Sequence, residues 1–459
     1  PTLASSFNIE TWTGTGAAAS ITGFGFSPNL VWYKERSNTS SHELLDTLRG
    51  ATNYIMSNSD AAQATSAQGL QSFDSDGFSV GTDGAVNQSG ETYVGWTWKA
   101  DDNEPTINDN GSTDSIVSAN DNAGFSIIKY TGTGSNLTVG HGLSSAPTFM
   151  IVKNLTSSSA WAVFHTTLGA TKYLALNETT AEATASNVWN DTAPTATTIS
   201  VGTWGPVNTS ANQHIAYCFH DVAGYQKFGS YTGNGGSKAI TGLGFKPDFV
   251  LIKSTGSNSW FIYDALRTVS VGDNAGTADA RPYILTNTNG KENGATSYNV
   301  DLNSDGFSMN TSAGDLNTNS QTYIYWAVAK NVPSNTTLAS SFKAVAYTGN
   351  SGAQSITGTG FTPDLVWTKA RNQSGYSHFL TDSLRGGTKV IQSNSDGAEI
   401  TRADNIQSFD SDGFTLGADG TSNYNGTTYI AWAWKAGNTW QSNVDGATSS
   451  IVNANTANG

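Results

Sequence analysis

Carboxylates are the first residues to weigh for chemistry. Asp74 and Asp76 stand two apart in Ser72-Phe73-Asp74-Ser75-Asp76-Gly77-Phe78, and Asp410 and Asp412 repeat the arrangement. Oxygen ligands at this spacing suit Ca²⁺, which gathers carboxylates from one short loop. The further ligands and closing glutamate of an EF-hand are missing, and the Asp-Gly step alone explains the pair as a hairpin turn. A glycosidase would need two carboxyls about 5–10 Å apart across a cleft, one with a raised pKa. Neighbours at a turn tip meet neither condition, so calcium is the one cofactor to consider here, and none is required.

Asp46-x-x-Arg49, Asp264-x-x-Arg267 and Asp382-x-x-Arg385 read as ion pairs on a tight turn, individually of modest worth. Lysines ending the preceding apolar runs (Lys34, Lys153, Lys253, Lys369) are expected to reach the same carboxylates. One counterpart departs: His165 stands where the aspartate would be, and its arginine is missing. His214 and His220 are joined by no cysteine or carboxylate set that would complete a zinc site. With no Gly-x-Ser-x-Gly elbow, phosphate loop or Cys/His nucleophile pair, the sequence gives enzymatic activity no support. Cys218 is expected to be a packed, inert thiol. Trp161, Trp204, Tyr424 and Trp440 fall in loops. Exposed aromatics there suit sugar stacking or subunit contacts, and partial core burial is the competing reading.

The elements that carry these residues recur along the chain. Thr92-Tyr93-Val94-Gly95-Trp96-Thr97-Trp98 returns as Thr428 to Trp434, reworked as Thr322 to Val328 and more distantly as Gln213 to Phe219. Alternation places Val94, Trp96 and Trp98 on one face of a strand and Gly95 and Thr97 on the other. The indole face is expected to fill a core within each copy, giving four small cores. Each copy also carries an aromatic-Thr-Gly turn, such as Tyr231-Thr232-Gly233, and an apolar run after Pro (Pro28-Asn29-Leu30-Val31-Trp32-Tyr33-Lys34). The predicted organisation is 1–100, 125–226, 227–331 and 332–437 as four copies, with 101–124 and 438–459 as polar linkers. The long first linker predicts a loosely attached first copy, and the short passage at Asp221–Tyr225 predicts rigid packing of the second against the third. Ser450–Asn455 copies Ser115–Asn120, which leads to the expectation that a further copy follows in a longer polypeptide.

Composition agrees with strands and turns: 459 residues, 49 glycines and only 13% charged side chains, with no long helical period. A net charge of −14 disfavours nucleic acid and anionic membrane surfaces, and no apolar run predicts membrane insertion.

The composite of Gly25–Lys34, Leu48–Thr52, Ser72–Phe78 and Thr92–Ala100, carried again by Gly360–Lys369, Leu384–Gly386, Ser408–Phe414 and Thr428–Ala436, resembles an uncharacterised repeat of tail and other virion proteins of marine bacteriophages, often found beside concanavalin-like lectin domains. The resemblance implies a structural or adhesive virion role and transfers no catalytic residue. Together these readings predict an all-β chain, a tandem array of four antiparallel, jelly-roll-like β-sandwich modules of about 100 residues. The expected function is a non-enzymatic tail-fibre or tail-associated protein on the outer surface of the virion, presenting the modules to a host-surface glycan. The alternatives are a capsid decoration or fibre protein binding other virion subunits, and a bacterial adhesin or filament subunit. A homotrimer would suit a fibre, although no heptad or collagen-like stretch announces one.

Overall fold

Short β-rich runs bounded by Gly, Asn and Asp give an all-β molecule in the computed structural model. The structure describes residues 6–101, 103–267, 282–294, 296–330, 341–436, 441–443 and 450–452. Trp440 lies outside the described residues. Among them, no helix is long and apolar enough to cross a membrane. The chain divides into two compact units, Leu3–Val332 and Pro333–Gly459.

In the first unit, a four-stranded sheet runs Phe7–Thr13, Thr92–Trp98, Leu30–Glu35, Glu43–Asp46. Its indole strand is central and antiparallel to both neighbours, with Trp32 opposite Trp96 and Phe7 opposite Trp98. The same order recurs as Gln226–Thr232, Thr322–Val328, Phe249–Ser254, Trp260–Asp264 within a five-stranded sheet. It recurs again as Phe125–Thr131, Gln213–Phe219, Phe149–Asn154, Ala162–His165 within an eight-stranded sheet. The segment 101–124, expected to be a linker, contributes two strands to that eight-stranded sheet. Thr106–Asn108 pairs with Ser115–Asn120, which in turn pairs with Phe125–Thr131.

The faces of the indole strands are used in the opposite way from the expectation. The small-residue face is the one covered by the copy's own second sheet. Ala216 and Cys218 meet Val139, Ile199 and Val201 there, and Val31 and Tyr33 meet Phe78 and Val80. Gly95 shows why the strand keeps small residues: a Cβ on it would come within 3.1 Å of the Trp12 ring. The indole faces of the first three copies instead meet one another. Trp32, Trp96 and Trp98 share one buried cluster with Phe149, Trp161 and Phe219 and with Phe249, Trp260 and Trp326. Among the described residues, the indole-strand tryptophans of this unit form no core within a single copy, and the first copy is not loosely attached. Its apolar face would be exposed without the other two, so burial overrides the length of its connection.

The second unit has a six-stranded sheet in the order Phe342–Thr348, Thr428–Trp434, Leu365–Ala370, Phe379–Asp382, Lys389–Gln392, Ile400–Thr401. A three-stranded sheet, Gln354–Thr357, Gly413–Leu416, Ile406–Asp410, accompanies it. Its core of Val366, Phe414, Leu416, Tyr429, Ala431 and Ala433 lies on the small-residue face. Pairing is the same as in the first copy, with Trp367 opposite Trp432 and Phe342 opposite Trp434.

Candidate functional site

The residues with chemical potential converge on the contacts between the first three copies. The Asp-x-x-Arg turn places the guanidinium back on its own carboxylate. Arg49 Nε donates to Asp46 Oδ2 at 2.5 Å and Arg267 Nε to Asp264 Oδ2 at 2.6 Å, all four side chains being fully buried. Each carboxylate then accepts one donor from a different copy. Trp96 Nε1 donates to Asp264 Oδ2 at 3.0 Å, and the Tyr217 hydroxyl, at the equivalent strand position, donates to Asp46 Oδ2 at 2.7 Å. Arg267 also lies over the Trp96 ring at 5.5 Å, a cation–π contact inside the shared core. Arg267 and Arg36 both bind Glu292. Against burial, which raises it, these two guanidiniums hold the Glu292 carboxyl below its ordinary range.

A second set of donors runs in the same rotational sense. His42, Trp161 and Trp260 each stand four residues before Asp46, His165 and Asp264 respectively. His42 accepts the Trp32 indole proton at Nδ1, which leaves its Nε2–H to donate to the Leu285 carbonyl, at 3.0 Å in both cases. Trp161 Nε1 donates to Met56 O at 3.0 Å, and Trp260 Nε1 to Ala175 O at 2.9 Å. Met56, Ala175 and Leu285 occupy equivalent strand ends. First copy donates to third, second to first and third to second, so the ring closes at three. The carboxylate set is broken at one station, where His165 replaces the aspartate. There Trp326 Nε1 turns to Gln226 Oε1 on the neighbouring strand of its own sheet, at 3.1 Å. Burial pushes His165 and His214 down to about 4 and also depresses His42, so these imidazoles are neutral packing groups.

Trp161, read from the sequence as a candidate ligand or subunit contact, is therefore buried inside the first unit. Its position places it between two copies of one chain, which the loop composition around it does not reveal. The terminal lysines also differ from expectation. Lys34 Nζ bonds Glu35 O and Asn38 O, Lys153 Nζ bonds Asp60 O, Asn154 O and Ser159 O, and Lys253 Nζ bonds Ser254 O and Gly256 O. Lys369 Nζ bonds Tyr376 O. These ammonium groups cap loop carbonyls, and the Asp-x-x-Arg carboxylates are already taken by arginine. Burial lowers Lys34, Lys153 and Lys253 to about 8.

The recurrent aspartates are turn staples. Asp76 accepts the backbone N–H of Gly23 at 3.1 Å and Gly25 at 2.6 Å, while Asp74 accepts the hydroxyls of Ser72 and Ser79. Asp412 and Asp410 do the same with Gly358, Gly360, Ser408 and Thr415. Two N–H donors, Gly244 and Gly242, lower the pKa of the equivalent Asp305. Among the described residues there is no cluster of three or more His, Cys, Asp or Glu side chains able to hold a metal.

On the outer surface, Trp204 packs against Tyr173 with ring centroids 4.7 Å apart. The pair borders a shallow cavity of about 210 Å³ with Ala160, Glu178 and Thr180. Tyr424 is half exposed near Tyr376, in the second unit.

The model of a domain of unknown function, DUF7483, matches residues 3–332 and 338–459. The chain belongs to the DUF7483 family. No curated protein matches it. Within this DUF7483 chain, the sequence reading also missed a buried asparagine present in every copy. Asn208 accepts the N–H of Thr133 at 2.7 Å and donates to Ser135 O at 2.6 Å and Gly202 O at 2.7 Å. Asn87, Asn317 and Asn423 make the equivalent bonds. The available signal was an asparagine at a fixed distance before each indole strand, which single-copy motif reading passes over. The donors at His42, Trp161, Trp260 and His378 were visible in the same way, since all four are aromatic N–H groups at one position of the copy.

Proposed function

We propose that this chain is a non-enzymatic structural protein of a phage particle, associated with the tail, whose copies bind one another and leave their outer surfaces for attachment. The observation that carries the structural role is the placement of the polar groups. The aspartate–arginine pairs Asp46–Arg49 and Asp264–Arg267, His42 and the indole donors are consumed in contacts between copies, where a substrate has no access. The phage context is supported by the composite motif of Gly360–Lys369, Ser72–Phe78 and Thr92–Ala100. Its partners would be other virion subunits, and its location the outer surface of the particle. Labelling of purified particles with an antibody to the chain, viewed by electron microscopy, tests this. Signal on the tail is expected, and particles free of signal refute it.

Host-surface glycan attachment is a second reading, favoured by the Tyr173–Trp204 cavity. Two tilted aromatic faces beside Glu178 and Thr180 offer a stacking surface and polar partners for a sugar. Glycan-array binding by the full chain that is lost in Trp204→Ala would support it. Absence of binding by the unsubstituted chain would leave the structural role alone.

A further inference from the structure

In the first unit, indole faces are buried because three of them meet. The second unit carries the same face and buries it only in part. Phe342 is 38% exposed, whereas its counterpart Phe7 is 0% exposed. Ile391 is 43% exposed, whereas Ile55 is 0%. Along the strand Thr428–Trp434 every second residue is only half-buried, Ile430, Trp432 and Trp434 among them. The equivalent residues Val94, Trp96 and Trp98 are buried.

The donors and acceptors of the ring are also retained. Trp367 Nε1 donates to His378 Nδ1 at 3.1 Å, as Trp32 does to His42, so His378 Nε2 carries the outward proton. Among the described residues that proton has no acceptor, and neither does Trp432 Nε1. Asp382 is paired with Arg385 at 2.6 Å, but receives no donor of the kind that Trp96 gives Asp264. The face therefore presents two unused donors, and the matching acceptors on the same sheet are the Asp382 carboxylate and the Gln392 main chain, at the position of Met56 and Leu285.

We propose that this face is the subunit interface of a homotrimer. Three chains would bring their Phe342, Trp367, Ile391, Trp432 and Trp434 side chains together around a threefold axis. Trp432 of each chain donates to Asp382 of the next, and His378 Nε2 donates to Gln392 O of the next. The occupant is a second and third copy of the same face because the one fitting solution in the molecule closes at three. A head-to-tail contact that closes makes a ring and leaves no apolar face over. Unlike the second copy, which lacks the aspartate, this copy retains Asp382 and can serve all three stations identically.

Sedimentation of the full chain over a concentration series is the test. A monomer–trimer equilibrium is expected, with Ile391→Lys and, on a different strand of the face, Phe342→Glu each abolishing the trimer while near-ultraviolet circular dichroism of the first unit is unchanged. Ile107→Lys, at an isoleucine 75% exposed elsewhere, should remain trimeric. A chain that stays monomeric at its highest soluble concentration, forms dimers only, or remains trimeric with both charged substitutions overturns the proposal. A monomer would mean that some other apolar face, such as that of a different polypeptide, is the natural occupant.

Discussion

Replacing Trp326 by alanine tests the shared core at its centre. The indole stacks on Trp98 of the first copy at 5.3 Å, and lies 4.5 Å from Phe219 and 5.5 Å from Phe149 of the second. Within its own copy it meets Phe249 at 5.3 Å and Phe228 at 5.7 Å. Truncating a buried tryptophan costs about 3–5 kcal/mol. Aromatic pairs contribute ~0.5–1.5 kcal/mol each beyond area, and Gln226 Oε1 would lose its donor at ~1–3 kcal/mol. These losses overlap, because relaxation around one hole serves all partners, so the upper end of the truncation range, about 5 kcal/mol, is the expected total. For a unit of this size that corresponds to a fall in Tm of about 10 °C, at ~2 °C per kcal/mol. The decisive assay is hydrogen exchange with mass spectrometry. Protection should fall together in Phe7–Thr13, Phe125–Thr131 and Gln226–Thr232, since one cluster holds all three sheets. Loss confined to 226–330 would refute the common core, as would a stability change below about 1 kcal/mol.

Other consequences are open to direct measurement. Asp264→Ala takes the nearer of two carboxylates from the buried Arg267 guanidinium, leaving Glu292, and removes the Trp96 acceptor, so urea denaturation should show a loss of ~3 kcal/mol, whereas Asp382→Ala in a dilute chain, with its pair partly exposed, should cost ~1 kcal/mol or less. Stability should rise with pH between about 8 and 10, because Lys34, Lys153 and Lys253 hold their protons more weakly folded than unfolded and unfolding takes protons up in that window. It should fall as pH drops from 6.5 through 4, since the unfolded chain protonates His165 and His214 first; denaturation midpoints across this range check both signs. Chelator should leave Tm unchanged, because Asp74, Asp76, Asp410 and Asp412 already satisfy serine, threonine and glycine donors.

The all-β class was legible in local chemistry. Alternating apolar residues, Asp-Gly hairpins such as Asp76-Gly77, and Pro-Asx turns specify strands and their ends through backbone geometry, which needs no distant partner. The Asp-x-x-Arg pairs were legible for the same reason, since their three-residue spacing closes within one turn. Calcium at the aspartates was suggested by their two-residue spacing, and sugar or subunit contact at Trp161 by its place in a loop; neither signal records which hydrogen-bond partners the folded chain supplies.

Tertiary structure alone decided which side of each indole strand belongs to its own copy. Alternation says that Trp96 and Gly95 face opposite ways, but not that a second sheet needs the flat side while the bulky side meets other copies. A large apolar face is compatible with either arrangement, because burial is non-directional and rewards any cover. The choice was made by close approach at residues such as Gly95 and by donors that find acceptors only across copies, Trp96 to Asp264 and Trp161 to Met56. Such partners lie more than a hundred residues away along the chain, so no reading of one stretch contains them.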